Sequence, residues 1–444
     1  MKIEVLPVTL PGSPAAAERA RSRSGAPLAN GKTTRVIGLC LILIAGIFLR
    51  LPPMLFIAKE APLHGLSAIH PNPKFDGIGY DENLYRGYVD DLSRYGLTSY
   101  PYFAERYLVV QSRLPGAILP PTRFVYVFSA YLWKLGSGAD SLSALHAVSS
   151  LFSILLLFLS ALFAWRLGGV TFGLSVAALM ACAPTQIHMS QHALIDGVFA
   201  FWATLSLWLL WENLRRPNQL PWLMSYGISL AVMVMTKENA MFAFVGLLSV
   251  LAANYWICFG KVTRPLLGFT ILGPLAGVVS LVFLCGGADT FYDVYRLLVS
   301  KASVLPYAIA TGDGPWYRYL VDLLLVSPIV FLLALGAVFR LRFANRAAVF
   351  LLCFVAGSYL VMGNVRYGMN LRYANMWDMP LRYLATLSLS GLAAHSRWRW
   401  QWVYGGMIGF VCLFDLRQYQ IFFVEHNLYE LVTSGLLHAL KILK

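Results

Sequence analysis

Ten apolar runs follow one another closely between residues 142 and 414, and an eleventh stands alone at 36–49. No other feature constrains the fold of this chain so tightly. The ten cover 142–165, 170–183, 197–211, 223–236, 240–259, 266–284, 319–339, 347–362, 381–394 and 402–414. A lipid interior leaves a backbone segment no solvent partners, so runs of this kind can cross it only as helices. Several fall short of the ~20 residues that a perpendicular span needs, so the number of spans can slip by one or two. Composition agrees, with 58% hydrophobic and 13% charged residues and a mean hydropathy of +0.64, far from a soluble domain. The expectation is an all-α polytopic membrane protein, a bundle of about eleven transmembrane helices.

Charge sets the expected topology. The connectors on one side carry Arg166, Arg215 and Arg216, Lys261 and Arg264, Arg340, Arg342 and Arg346, and Arg397 and Arg399, with Glu212 as their one acid. Glu4 and Glu18 lie in the N-terminal tail and Asp322 just inside a span; the other acids lie in or beside the opposite connectors. The positive-inside rule then puts the N-terminus in the cytoplasm and the acidic connectors outside. The formal charge of +14 thus needs no nucleic-acid partner. Residues 1–35, rich in Pro, Ala, Ser and Arg, read as a disordered cytoplasmic tail. The tail is too long for an ordinary signal peptide, and no cleavage site follows run 36–49, which reads as a retained anchor. The catalytic unit spans 36–414, and 415–444 reads as a short extracytoplasmic tail. The six cysteines are dispersed without a C-x-x-C pair, which gives neither a metal site nor a disulfide framework.

Between the anchor and the second span lies a polar loop of about residues 59–140. It carries Asp76, Asp81, Glu82, Asp90, Asp91 and Glu105, interleaved with five arginines including Arg123, and nine tyrosines including Tyr80 and Tyr85. A loop so long and aromatic is expected to work, as half of an active site on the membrane surface. Three shorter outer connectors add candidates. In 184–196, His188, His192 and Asp196 share one face if the segment is a single helix. Two histidines and a carboxylate could bind a divalent metal; the alternative is an interfacial helix with polar residues turned to water. Asp196 opens a span, where a carboxylate is either functional or a first-turn acid. Lys237 lies outside, against the positive-inside bias, and is suited either to a lipid phosphate or to snorkelling. Arg372 could clamp a phosphate or pair with Asp378.

The order of these features resembles the GT-C class of integral-membrane glycosyltransferases, in particular the protein O-mannosyltransferase and lipid A aminoarabinose-transferase relatives. It comprises one span, a great loop opening with Asp81-Glu82, Pro120-Pro121, Ser190-x5-Asp196, Thr236-Lys237 at a short hairpin, and Arg372-Tyr373…Pro380 before a late span. The similarity covers roughly 35–394. It departs from the family where Gln191 follows Ser190 and where Leu119 precedes the two prolines. The resemblance implies transfer of a sugar from a polyprenyl-phosphate donor on the extracytoplasmic face, with a protein, lipid or glycan hydroxyl as acceptor. It implies Asp81 as the catalytic carboxylate with Glu82 beside it, and matches Asp196, Lys237 and Arg372-Tyr373 to functional positions.

The chemistry then expected is inverting transfer, with Asp81 as general base on the acceptor hydroxyl. Lys237 and Arg372, with Arg50 or Arg123, would stabilise the leaving phosphate. Asp196 would orient sugar or acceptor, and Tyr80, Tyr85, Tyr373 and Ser190 would contact substrate. No cofactor is required, though a divalent metal is compatible. The rival reading is a lipid or sugar transporter or flippase. Such a protein would place ionisable groups near the bilayer midplane, whereas here they gather in the outer connectors. Cysteines introduced at Ser93 and Ser396 test the topology: impermeant reagent should label the first from outside and the second only after permeabilisation.

Overall fold

The computed structural model describes residues 28–71, 78–115, 118–302, 304, 314–365, 369–396 and 399–443. Residues 1–27 of the expected tail, and Asp76 and Arg397, lie outside them. Two compact units divide the chain, residues 1–41 and 42–444. Helix α1 (Leu28–Arg50) begins in the first and ends in the second, and it starts within the stretch expected to be tail. Extending an existing helix orders one residue for each new hydrogen bond, so polar residues readily lengthen a span.

The great loop is helical. It contains α2 (Tyr80–Tyr95), α3 (Tyr100–Arg113) and α4 (Phe124–Ser137). On α2 the buried residues are Glu82, Tyr85, Val89 and Leu92, a single stripe at helical spacing. That stripe joins one apolar cluster with Tyr126, Val127 and Ala130 of α4. The same cluster takes in Ala144, Leu145 and Val148 of α5 (Ser141–Gly168) and Ala193, Ile195 and Val198. The loop is therefore packed onto the ends of the bundle helices, and Asp81 and Glu82 are fixed at its first turn.

All eleven apolar runs are helical, and there is no strand among the described residues. After α5 come α6 (Val170–Ala181), α7 (Pro184–Gln191), α8 (Asp196–Arg215), α9 (Leu220–Thr236), α10 (Ala240–Ile257) and α11 (Arg264–Leu284). Then follow α12 (Ala288–Ala302), α13 (Arg318–Val326), α14 (Pro328–Phe339), α15 (Arg346–Met362), α16 (Asp378–Ala394) and α17 (Trp400–Tyr419). By length and composition, α1, α5, α10, α11 and α17 with its π-helical extension Gln420–Glu425 can each cross a membrane. The α6–α7 pair, bent by 55°, could make a sixth span. Run 319–339, expected as one span, is two helices, because Pro328 has no N–H to offer the preceding turn.

The α6–α7 bend has the same origin and a visible remedy. Pro184 cannot donate to Met180, and the buried Arg50 guanidinium donates to the carbonyls at the end of α6. Its Nη2 donates to Met180 O at 2.6 Å and its Nη1 to Ala181 O at 2.9 Å and Gly46 O at 3.0 Å. Its Nε donates to Ser153 at 3.0 Å. Arg50, expected at the donor phosphate, is thus engaged inside the bundle, and we leave it out of the proposed phosphate site.

Segment 184–196 also departs from expectation. It is not one helix on the interface: α7 ends at Gln191, His192 is extended (φ −106°, ψ 155°), and α8 begins at Asp196. Every residue of α7 is buried. Its polar side chains bind protein instead of water: Thr185 and Gln186 donate to Asp378 at 2.6 and 2.7 Å. Asp378 also accepts from Arg382 at 2.9 Å, so it is not the partner of Arg372.

Helices α9 and α11 approach through small residues. A Cβ at Gly273 would come within 2.8 Å of Gly227 O, and one at Gly277 within 2.6 Å of Ala231 O. Close backbone approach of this kind is how helices associate in lipid, where the hydrophobic effect gives them no drive to associate. Gly277→Leu should therefore destabilise the protein by about 1–3 kcal/mol, the usual range for overpacking. Gly268→Leu, on the same helix with no atom within 4 Å, should not. Thermal unfolding of the two variants in detergent checks the difference.

Candidate active site

Four separate segments meet beside the bundle-facing turn of the great loop. Asp81 and Glu82 sit in the first turn of α2, where acids are favoured by the exposed N–H groups and the helix dipole. Asp196 opens α8. Lys237 and Glu238 occupy the short break between α9 and α10. Arg372 and Tyr373 lie on the 3-10 turn Leu371–Trp377, which the Asn370 side chain caps by accepting from Arg372 N at 3.1 Å.

Arg372 is the hub. Its Nη2 donates to Asp81 Oδ2 at 2.9 Å, its Nε faces Asp196 Oδ2 at 3.8 Å and its Nη1 faces Glu430 Oε1 at 3.4 Å. Lys237 forms a tight ion pair with the other oxygen of Asp196. Both cations lie over the ring of Tyr373, Lys237 Nζ at 4.1 Å and the Arg372 guanidinium carbon at 5.4 Å from its centroid. Asn375 donates to Asp196 O at 2.9 Å, which ties α8 to the 3-10 turn. Burial pushes the Lys237 ammonium below its usual value, and Asp196 opposes that shift.

The two adjacent acids of α2 have different surroundings. Glu82 is fully buried, hydrogen-bonded with His192 Nδ1 at 2.8 Å and accepting from Ala193 N at 3.3 Å and from Gly79 N at 3.3 Å. His146 lies 3.7 Å away. Burial raises the Glu82 carboxyl above the usual range, against the pull of His146 and the two backbone N–H groups. Burial also pushes His192 down to about 3, with Arg372 adding to the effect, so its imidazole is neutral at pH 7. Glu82 therefore joins the loop to the turn before α8, while Asp81 faces the cations.

Arg123 completes the edge of the cluster. It donates to Tyr85 OH at 2.7 Å and to Glu238 through Nε at 3.1 Å and through Nη2. Of the other candidates, Tyr80 is exposed and Ser190 donates to Ile187 O at 2.7 Å inside α7. His188 stacks on Phe423 with ring centroids 4.1 Å apart, and its Nε2 lies 3.1 Å from Tyr429 O. His188 and His192 are neighbours, but each has a separate partner, and Asp196 turns to the cations. No group of three His, Cys, Asp or Glu could hold a metal ion among the described residues.

The segment after α17 was expected as a tail and instead enters the site. Leu431 O accepts from Leu371 N at 3.2 Å, and Thr433, which starts α18 (Thr433–Ala439), donates to Asp322 at 2.6 Å. Between them, Tyr429 covers Gly79, where a Cβ would meet the tyrosine ring at 2.5 Å, and Glu430 reaches Arg372 and Asn370. Sequence reasoning passed over Tyr429 and Glu430, and it did not weigh Glu238 or His146.

This helical architecture, with a great first loop closed over the bundle, is that of the GT-C class of integral-membrane glycosyltransferases. Residues 126–285 match the family described as dolichyl-phosphate-mannose-protein mannosyltransferase. The fold matches ArnT from Cupriavidus metallidurans in its apo state, with 13% identity and a TM-score of 0.51 over 93% of this chain and 76% of that one. The same protein bound to undecaprenyl phosphate matches equally well, over 93% and 75%. The oligosaccharyltransferase of Archaeoglobus fulgidus in its apo form matches with 10% identity and a TM-score of 0.58 over 87% of this chain. That match covers 55% of the oligosaccharyltransferase. No curated protein sequence matches significantly. The resemblance read from the sequence is thus borne out at the level of the fold, in an integral multi-pass membrane protein.

Glu238 offers a test of the cluster's electrostatics. Burial opposes its ionisation, but Arg123, through charge and hydrogen bonds, and then Lys237 hold its carboxyl down at about 2 against an ordinary 4.5. A depressed carboxyl stabilises the fold above its unfolded value, and that contribution is lost as pH falls toward the folded value. Glu238→Gln should therefore lower the Tm above pH 4.5, with the gap to wild type closing as pH falls from 4.5 toward 2. A gap independent of pH would remove the ionic role.

Proposed function

We propose that the protein is a glycosyltransferase that moves a sugar from a polyprenyl-phosphate donor to an acceptor hydroxyl on the extracytoplasmic face of the membrane. The observation that carries this reading is the buried meeting of Asp81 and Asp196 with Arg372 and Lys237, supplied by segments far apart in sequence. Such a cluster provides a base, a second carboxylate and phosphate-binding cations within one site. The family match and the solved structure of an ArnT with undecaprenyl phosphate support the donor class. An Archaeoglobus oligosaccharyltransferase tethered to an acceptor peptide shares the fold, which supports a protein among the candidate acceptors.

In the proposed reaction Asp81 takes the proton of the acceptor hydroxyl as its oxygen attacks the anomeric carbon. The bond to the phosphate oxygen breaks on the opposite face, giving inversion through an oxocarbenium-like transition state. Arg372 and Lys237 stabilise the departing phosphate, and Arg123 adds positive charge at the edge. Asp196 holds Lys237 and orients the substrate. Glu82 positions the α2 turn through His192, Ala193 and Gly79. Tyr373 supports both cations from below, and Tyr85 is held by Arg123.

Asp81→Asn tests this assignment, because it keeps size and most hydrogen bonding while removing the base. Transfer per folded molecule should fall about 100- to 10,000-fold, with donor-lipid binding nearly intact. Wild-type turnover in Asp81→Asn would move the base role to Asp196. A transporter would show donor movement across vesicles without any transfer, and with Asp81→Asn that movement would persist.

A further inference from the structure

Glu430 occupies an unexpected place for a protein whose site must receive a phosphate. Five ionisable groups share the hub: Asp81, Asp196 and Glu430 against Arg372 and Lys237. The neighbouring Arg123 and Glu238 pair with each other. The hub therefore holds one carboxylate more than it has cations, and an incoming phosphate would add further negative charge beside them. One acid must withdraw for the phosphate to reach the guanidinium.

The geometry points to Glu430. Asp81 and Asp196 are each fixed by a close contact, at 2.9 Å to Arg372 and in the tight pair with Lys237. Glu430 is held on Arg372 only through a 3.4 Å charge contact. Arg372 Nε and Nη1 are buried and form no hydrogen bond with any described residue. Two guanidinium donors are thus available, Nη1 facing Glu430 and Nε, on another edge, facing Asp196. The second oxygen of Glu430 accepts from Asn370, on the turn that carries Arg372, so the carboxylate has a partner when it leaves the guanidinium. Glu430 lies on the C-terminal strap, more exposed than the other two acids, with side-chain exposures of 18%, 15% and 2% for Glu430, Asp81 and Asp196.

We infer that Glu430 competes with the donor phosphate for Arg372 and so sets donor affinity, a specificity-determining role that rests on the phosphate site proposed above. The ligand is a polyprenyl monophosphate or its sugar ester. Donor binding exchanges the Glu430 carboxylate for a phosphate oxygen on Nη1, while Asp81 keeps Nη2. The strap thereby senses site occupancy through a single side chain.

Binding of undecaprenyl phosphate to the full-length protein in nanodiscs tests this directly. If Glu430 covers the guanidinium nine-tenths of the time, Glu430→Gln should tighten binding about tenfold, since apparent affinity scales with the competent fraction. The KM for donor should fall, while kcat stays the same or drops through slower product release. Asn370→Ser keeps a short oxygen to cap Arg372 N but loses the amide that holds Glu430. Its weaker effect in the opposite direction, with Glu430 left fully on Arg372, supports the same exchange and needs no change in the strap itself. Unchanged or weaker binding in a folded Glu430→Gln, alongside weaker binding in Arg372→Gln, overturns the competition but leaves the phosphate site standing. Unchanged binding in Arg372→Gln overturns the phosphate site, and the role of Glu430 with it.

Discussion

A guanidinium as buried as that of Arg372 has to be matched by charge, and the segments that match it are what hold this side of the molecule together. It meets Asp81 from the great loop, Asp196 from the start of α8 and Glu430 from the C-terminal strap. Removing one partner of a buried ion pair typically costs about 3–5 kcal/mol, because the other charge is left without compensation. The helices of the bundle can pack by shape alone. The loop, hairpin and strap instead need complementary charges to fix them to one another at a polar surface. Structure and chemistry therefore draw on the same residues, and a substitution made to probe one should be read for its effect on the other.

Polar residues between α2 and the start of α8 follow a second rule, that a buried charge is avoided wherever a neutral hydrogen bond suffices. His192 is neutral, and Glu82 is pushed toward its protonated form. Glu82, His192 and Ala193 can thus share protons and hydrogen bonds with little net charge in a dry interior. Asp81, one residue earlier, points toward cations and partial solvent. Two successive carboxylates on one helix turn are separated by environment, one buried as a brace and one facing the cations.

Much of the fold was legible because its signal is periodic and local. Each apolar run became helix, since backbone satisfaction in lipid leaves no alternative. Asp81, Asp196, Lys237 and Arg372 could be singled out as charged residues at the ends of such runs, and they do meet. Other features were hidden for physical reasons. The residues of α7 look surface-bound by composition, yet Thr185, Gln186 and Ser190 donate to buried protein partners. The four-residue spacing of His188, His192 and Asp196 suggested one helical face, but it takes no account of the extended conformation at His192. Glu430 is one of three acids in an otherwise unremarked segment, and its partner lies 58 residues earlier, a pairing that no local pattern encodes.

The proline break between α6 and α7 has a consequence for how the chain is made. Arg50 ends the first helix to enter the membrane, yet the carbonyls that receive it belong to residues 180 and 181. During synthesis the first helix must wait with its guanidinium at the bilayer edge, its long stem along the lipid and its head in water. Only when α6 arrives with the carbonyls of Met180 and Ala181 at its end can that charge be drawn inward. The end of α1 and the bend between α6 and α7 thus depend on each other, although 130 residues separate Arg50 from Met180.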